Sequence, residues 1–520
     1  MLETEKKVGL DWKIKTVDEL DEIIGRRPRE KKVIMCHGVF DVVHPGHVRH
    51  LIYAKSKADI LIASLTADMH IEKANFRPYV PQDLRAFNLS AFEVVDYVLI
   101  DENPTPLENL ERLQPDLFAK GYEYVDGDLN PKTQAEIDII ESYGGELIFT
   151  PGDIVYSSSR LIEMAPPNLR LEKLLALLQA ENIGFDDLRD TLDRLKGIRA
   201  HVVGDLIIDS LTTCTMIGGM TKTPTMSVRY EAREDFVGGA GVVAKHLSAA
   251  GADVTFTTIL GDDSLKEFAL KDLEACGVTV DAIVSRTRPT TNKNAIVANG
   301  TRLIKVDTLD NRSISKRTLE RFCDAISGLK SDVVVFSDFR HGIFNKHTIP
   351  ALTESLREDC LKVADSQVAS RWGNILEFQN FDLITPNERE ARFSLADQDS
   401  VVRPLATDLY HRASCGVLIM KLGDRGILTY RTRPEGDPRT FYAIDSLANT
   451  VRDPVGAGDA LLAYAALTLA ATGDDVRASI IGSVAAGLEC GMEGNQPVSR
   501  DDVAARLSEL EVEANYNAVP

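Results

Sequence analysis

The chain lacks a basic excess. Acidic residues outnumber Lys and Arg by 79 to 59, for a formal net charge of −20. That argues against a general nucleic-acid binder, which needs cations to neutralise phosphates. Long apolar runs are also missing. The longest, residues 460–471, is too short to cross a bilayer, so no membrane partner is expected. Seven cysteines occur, an odd number, with no Cys-x-x-Cys pair. Neither a disulfide frame nor a structural zinc is expected, which fits a reducing cytoplasm. Residues 1–12 are mixed in charge and have no apolar core of the kind a signal peptide needs. No repeat of solenoid period and no low-complexity tract is apparent.

What is present is a chain too long for one hydrophobic core, 520 residues with 44% apolar content. Short β-rich runs alternate with helical patterns. Strands are expected at 32–35, 59–63, 94–100 and 146–149, with a helix over 47–55. Residues 171–195 read as a connecting helical segment interrupted at Gly184. A second alternation starts at His201-Val202-Val203-Gly204-Asp205, with strands at 254–259, 332–336, 381–384 and 416–420. Such alternation implies parallel sheets covered by helices on both faces.

Two phosphate-handling signatures stand far apart. The first is Gly38-Val39-Phe40-Asp41-Val42-Val43-His44-Pro45-Gly46-His47, at a strand-to-helix junction. Gly46 permits close backbone approach, and a helix start offers N–H groups to an anion. His44 and His47 would stabilise charge on an α-phosphate during in-line displacement. Lys73, the pair Arg77-Pro78, Arg85, Lys120-Gly121 and the run Ser157-Ser158-Ser159 fit the same chemistry. The serines would cap a helix or bind phosphate.

The second signature is Asp453-Pro454-Val455-Gly456-Ala457-Gly458-Asp459, ahead of an apolar helix. Free amides of Gly456, Ala457 and Gly458 would hold a transferring phosphoryl group, and Asp459 would take a proton from the attacking hydroxyl. Gly238-Gly239-Ala240 also leads into a helix. Thr385-Pro386-Asn387-Glu388-Arg389-Glu390 and Lys421-Leu422-Gly423-Asp424-Arg425-Gly426 follow strands, where α/β ligands bind.

On these residues, 13–165 resemble the cytidylyltransferase-like nucleotidyltransferases, most of all the adenylyltransferases that make ADP-activated heptose. The likeness includes Lys13-Ile14-Lys15-Thr16-Val17-Asp18-Glu19-Leu20 and Pro115-Asp116. His37 departs, since that family usually has Asn before the glycine. Residues 199–510 resemble the ribokinase-like carbohydrate kinases, again nearest the heptose pathway. The likeness extends to Asp209, Pro289-Thr290-Thr291-Asn292-Lys293, Leu303-Ile304-Lys305-Val306-Asp307 and Ser337-Asp338-Phe339.

The resemblance implies a Rossmann-like nucleotidyltransferase at 1–165, a helical linker at 166–198 and a kinase at 199–520 with a β lid near 215–230. It assigns the nucleotide to Gly38, Phe40, His44, His47, Lys73, Arg77, Lys120 and Ser157–Ser159. Asp459 becomes the kinase base, and Gly456, Ala457 and Gly458 its anion hole. Asn387 and Glu390 would serve Mg2+ indirectly, and Lys421, Gly423 and Gly426 would lie near ATP. Asp209, Gly238, Gly239 and Lys293 would touch the sugar. Val242 stands where the family's Gly-Gly-Ala-x-Asn has its asparagine, and 221–228 lacks the family's acidic Pro-Glu-Ala-Pro.

The implied function is phosphorylation of a phosphosugar with MgATP, followed by adenylyl transfer to a sugar 1-phosphate. Other readings are CTP as donor, a different sugar or polyol phosphate, or a kinase half kept as a binding or assembly module. Partners would be small molecules, with a homo-oligomer left open and no shared active site expected.

Overall fold

The computed structural model describes residues 11–71, 78–121, 131–150, 170–218, 226–367, 375–432, 440–492, 494 and 496–517. Two compact units form, one built on Met1–Ala180 and the other on Glu181–Thr432 with Phe441–Glu513. The expected linker divides between them. Helix Arg170–Ala180 belongs to the first unit and helix Phe185–Arg194 to the second. Gly184 starts the second helix, its N–H donating to the Asp187 carboxylate at 2.8 Å.

The first unit holds a six-stranded parallel sheet. Its strands are β1 (Ile14–Lys15), β2 (Val33–Gly38), β3 (Ile60–Thr66), β4 (Tyr97–Asp101), β5 (Leu117–Gly121) and β6 (Glu146–Thr150). They run in the order β1-β4-β3-β2-β5-β6, all parallel. Val33, Ile34, Met35 and Cys36 are completely buried, as a strand covered on both faces requires. β4 begins at Tyr97, later than expected, because Val95 N–H closes a turn onto the Phe92 carbonyl at 3.1 Å. From β2 the chain steps to β3 and β4 on one side, then to β5 and β6 on the other. The carboxyl end of β2 is therefore the topological switch point, where ligands of such sheets bind.

The second unit contains β7 (Arg199–Gly204), β8 (Leu206–Gly218), β9 (Ser227–Gly239), β10 (Asp253–Gly261), β11 (Thr279–Ser285), β12 (Asn292–Ala298) and β13 (Thr301–Thr308). It continues with β14 (Val333–Asp338), β15 (Leu361–Ser366), β16 (Leu383–Ile384), β17 (Val417–Lys421), β18 (Ile427–Arg431) and β19 (Phe441–Ile444). Nine strands form the main sheet, in the order β11-β10-β7-β14-β15-β16-β17-β18-β19. It is parallel through β17, and β18 and β19 add an antiparallel edge. A separate four-stranded sheet, β13-β12-β8-β9, stands where a lid was expected and also draws in residues 292–308. The switch point of the main sheet lies between β7 and β14, and β8 leaves directly from the end of β7.

The core beneath this point is aromatic. Phe336 of β14 is fully buried, with ring centroids 5.3 Å from Phe344, 5.6 Å from Phe381 and 6.3 Å from Phe378. Phe336→Ala should cost about 3–5 kcal/mol, the usual range for removing a buried aromatic ring. The measurement is chemical denaturation, read as a lower midpoint at unchanged slope. A midpoint like that of the unmodified chain would show that the cluster repacks.

Candidate active sites

In the first unit, β2 ends in the glycine turn and helix Pro45–Lys55 begins with His44 as its N-cap. His44 Nδ1 accepts the Gly46 N–H at 3.1 Å, which leaves the ring proton on Nε2. The ring lies so close that a methyl group on Gly46 would sit 2.8 Å from it, so glycine is required there. His47 lies 4.0 Å from His44 between ring centroids and 5.2 Å from Phe40. Burial, then the neighbouring His44 and His50, push His47 down to about 4. It is neutral at physiological pH and offers hydrogen bonds, not a full positive charge. Phe40 holds a left-handed backbone at φ 48°, a strained setting of the kind that clusters at ligand sites.

Arg85 fixes this turn. It is completely buried and donates to the carbonyls of Val39, Thr66 at 2.9 Å and Val80 at 3.0 Å, and to the Asp68 carboxylate at 2.5 Å. Asp41 is also buried and accepts the Val80 N–H at 2.7 Å. A mostly apolar cleft of about 720 Å³ adjoins the motif, bordered by His44, Val48, Val80 and Phe92. His37 bridges Ser64 at 2.9 Å and Thr66 at 3.1 Å, beneath the turn. The Lys120 ammonium pairs with Glu136 and reaches Thr133 at 3.2 Å. A role for Lys120 at the nucleotide therefore has to compete with Glu136. Lys73, Arg77, Ser157, Ser158 and Ser159 lie outside the described residues.

In the second unit, Gly456 opens helix Ala457–Thr472 at φ 97°, without a side-chain cap. The first amides of an uncapped helix have no intrahelical partner, and they present a positive dipole end. Lys421, at the end of β17, lies beside Gly458, where a methyl group would sit 3.4 Å from its Nζ. Its ammonium donates to Asp365 at 2.9 Å, and Asp365 also accepts from Thr385 Oγ1 at 3.0 Å. Burial pulls Lys421 down, but Asp365, Glu390 and Asp459 more than offset this and hold it above its usual value. Asp459 is raised to about 7, first by burial and then by Asp365, against the opposing pull of Lys421. Gly423, at φ 68°, and Gly426, at φ 83°, close the turn after β17, with Leu422 N–H on the Gly426 carbonyl at 2.8 Å.

Asn387 and Glu390 form a reciprocal capping box at the start of helix Glu388–Leu395, at 2.8 and 2.7 Å. No three His, Cys, Asp or Glu side chains converge as a metal cage among the described residues. Asn387 Oδ1 and one Glu390 oxygen are engaged in that box, so a Mg2+ here would have to be held mainly through water and nucleotide phosphates, with these two residues at its margin.

In the four-stranded sheet, the Asp209 carboxylate seats on Gly238, where a methyl group would lie 2.1 Å from it, and Gly239 turns at φ 59°. Strand register sets Lys293 between Asp209 of β8 and Asp307 of β13. Burial, then Lys305, lower Lys293, while Asp209 and Asp307 oppose this. Val242 is buried in helix Ala240–Ala249.

Several site residues escaped the sequence reading. Asp365 is one, and Glu489 is another. Glu489 is 1% exposed, sits against Gly456, and is raised to about 7 by burial and then Asp453. Neither belongs to a motif: sheet order brings Asp365 to the site, and Glu489 reaches it from the end of helix Asp475–Glu489.

The profile of the cytidylyltransferase-like family matches residues 35–164, and that of the pfkB family carbohydrate kinases matches residues 199–501. The Bifunctional protein HldE of Geobacter metallireducens is 39% identical over 140 residues, 26% of this chain and 28% of the relative. That of Pelobacter propionicus is 26% identical over 329 residues, 61% of this chain and 64% of the relative. The chain thus spans between about a quarter and two thirds of the curated relatives it matches. Its domain order is not the usual one of these relatives. Phosphofructokinase-2 of Escherichia coli, solved with fructose-6-phosphate, has the kinase fold at 15% identity and a TM-score of 0.50. That match covers 60% of this chain and 99% of the phosphofructokinase. No helix among the described residues is long and apolar enough to cross a membrane. With a matched profile over more than half its length, the chain belongs to the pfkB family of carbohydrate kinases, joined here to an N-terminal cytidylyltransferase-like domain.

Proposed function

We propose that the chain catalyses two steps of phosphosugar activation, with heptose 7-phosphate as the kinase substrate and hydrolysis of the 7-phosphate by a separate phosphatase between them. In the first, Asp459 takes the proton of the anomeric hydroxyl as that oxygen attacks the γ-phosphorus of ATP, and ADP leaves. The amides of Gly456 to Gly458 and the Lys421 ammonium meet the charge on the transferring group. Mg2+ bound with ATP would neutralise charge on its phosphate oxygens. In the second step, a sugar 1-phosphate oxygen attacks the α-phosphorus of ATP and pyrophosphate leaves, with His44 and His47 donating to the α-phosphate. The observation that carries the reading is Asp459 itself, a half-buried carboxylate in the first turn of a helix that starts without a side-chain cap, near the Lys421 ammonium. The test is the purified chain with MgATP and heptose 7-phosphate, with products read by mass spectrometry. A doubly phosphorylated heptose is expected from the kinase step, and ADP-heptose from heptose 1-phosphate.

Asp459→Asn should lower phosphorylation about 100-fold or more while ATP binding persists. The base must be ionised to work. In the unmodified chain, kcat/KM should therefore rise with pH and level off above about 7. A flat profile from pH 5.5 to 8.5, or near-normal turnover of the Asn variant, would remove Asp459 from this role.

His47→Ala should slow pyrophosphate release roughly 100-fold, the loss typical of one donor to a developing anion, with kinase activity retained. Its neutral state predicts that adenylyl transfer stays level between pH 6 and 8. Full pyrophosphate release by the variant would leave His47 a structural role only.

A further inference from the structure

His341 stands at the switch point of the kinase sheet, in the loop that follows β14. Register pairs Ser337 of β14 with Gly204 of β7, so this loop faces Asp205, which follows β7. The Asp205 carboxylate accepts the backbone N–H groups of Phe339 and His341, each at 3.1 Å. Through its carbonyl, Asp205 also accepts the Ala240 N–H at 3.0 Å, which ties the loop to the Gly238-Gly239 turn.

The backbone on either side of His341 is left-handed. Arg340 has φ 66° and Gly342 has φ 101°, and a methyl group on Gly342 would strike the Arg312 carbonyl at 2.2 Å. A non-glycine residue in that region is strained and persists only where its surroundings impose it. Here Asp338 holds Arg340 twice, through its N–H at 2.8 Å and its guanidinium at 2.7 Å.

The His341 ring is 5% exposed. Its Nδ1 lies 2.7 Å from Asn311 Oδ1, an atom that only accepts, so Nδ1 carries the proton. Nε2 is then a bare lone pair, and it has no hydrogen-bond partner among the described residues. Burial, then Lys293 and Arg288, lower the ring to about 4, so it stays neutral. The same Lys293 is the strand neighbour of Asp209. A buried acceptor without a donor carries a desolvation cost that a ligand can relieve.

We infer that His341 is a specificity-determining residue of the kinase site, accepting a hydrogen bond at Nε2 from one ring hydroxyl of the sugar. The inference rests on the kinase reading above and extends it. It also answers the loss at Val242, where the family's amide is replaced by a buried hydrocarbon: the hydroxyl contact has moved from the helix Ala240–Ala249 to the loop after β14.

The test uses the full chain, wild type and the variants His341→Leu and His341→Gln, with heptose 7-phosphate and its monodeoxy analogues. Calorimetry reads sugar binding, and ADP release reads turnover. The wild type should bind one deoxy analogue on the order of tenfold more weakly than the parent. His341→Leu should bind the parent as weakly as that analogue, with no further loss on the analogue itself. His341→Gln, which keeps an acceptor, should restore discrimination in part, and ATP affinity should stay the same in all three. Equal discrimination in the wild type and the Leu variant would overturn the inference. So would a uniform loss on every sugar and on ATP, which marks a structural role. Sugar binding that depends on His341 with no phosphoryl transfer by the wild type would sink the kinase reading alone. Absence of binding by every sugar would sink both.

Discussion

Lys421 donates to Asp365 where β15 and β17 reach the edge of the kinase sheet, and the rest of that site is arranged around this pair. Asp365, Glu390, Asp459 and Glu489 gather around this pair, an arrangement that by itself would repel an anion. One ammonium and a helix start with free amides offset part of that negative charge. Breaking a buried pair leaves an uncompensated charge, typically worth 3–5 kcal/mol. The pair is thus an anchor for the ends of β15 and β17. It also sets how tightly Asp459 holds its proton, since Lys421 opposes the upward push of the surrounding carboxylates.

In the first unit the rings of His44 and His47 are tilted against each other with centroids 4.0 Å apart, and burial keeps His47 neutral, so it offers an oriented N–H group rather than a charge. Low dielectric makes such dipoles strong at short range and costs nothing in reorganisation when charge develops. The two units thus differ in kind: one gathers carboxylates around an ammonium, the other sets neutral imidazoles beside a helix start.

Much of this was legible in the sequence. Strand–helix alternation was legible, and so were the two glycine motifs, which fall at the end of β2 and at the start of helix Ala457–Thr472, because motif spacing is local. Gly456 holds a left-handed backbone, while Gly46 and Gly238 each have a side chain lying where a Cβ would go. What was not legible depends on contacts distant in sequence. Asp365 and Lys421 are brought together by sheet order, and Glu489 reaches Gly456 from the far end of another helix. Lys120 pairs with Glu136 from the next helix, a contact that no strand-end pattern announces. The start of β4 was set too early because an apolar run reads alike as strand or as the buried turn at Val95.

Arg85 carries a consequence for how this domain can vary. Three of its four acceptors are main-chain carbonyls, those of Val39, Thr66 and Val80. A carbonyl is present whatever the side chain, so the pin is blind to identity at those three positions. Drift there leaves the turn in place, while a change at the single cationic position releases three segments at once. Thr66 also meets His37 through its hydroxyl and Val80 is buried, so in a library made around this turn position 39 is the open ground, and position 85 is the one to leave alone.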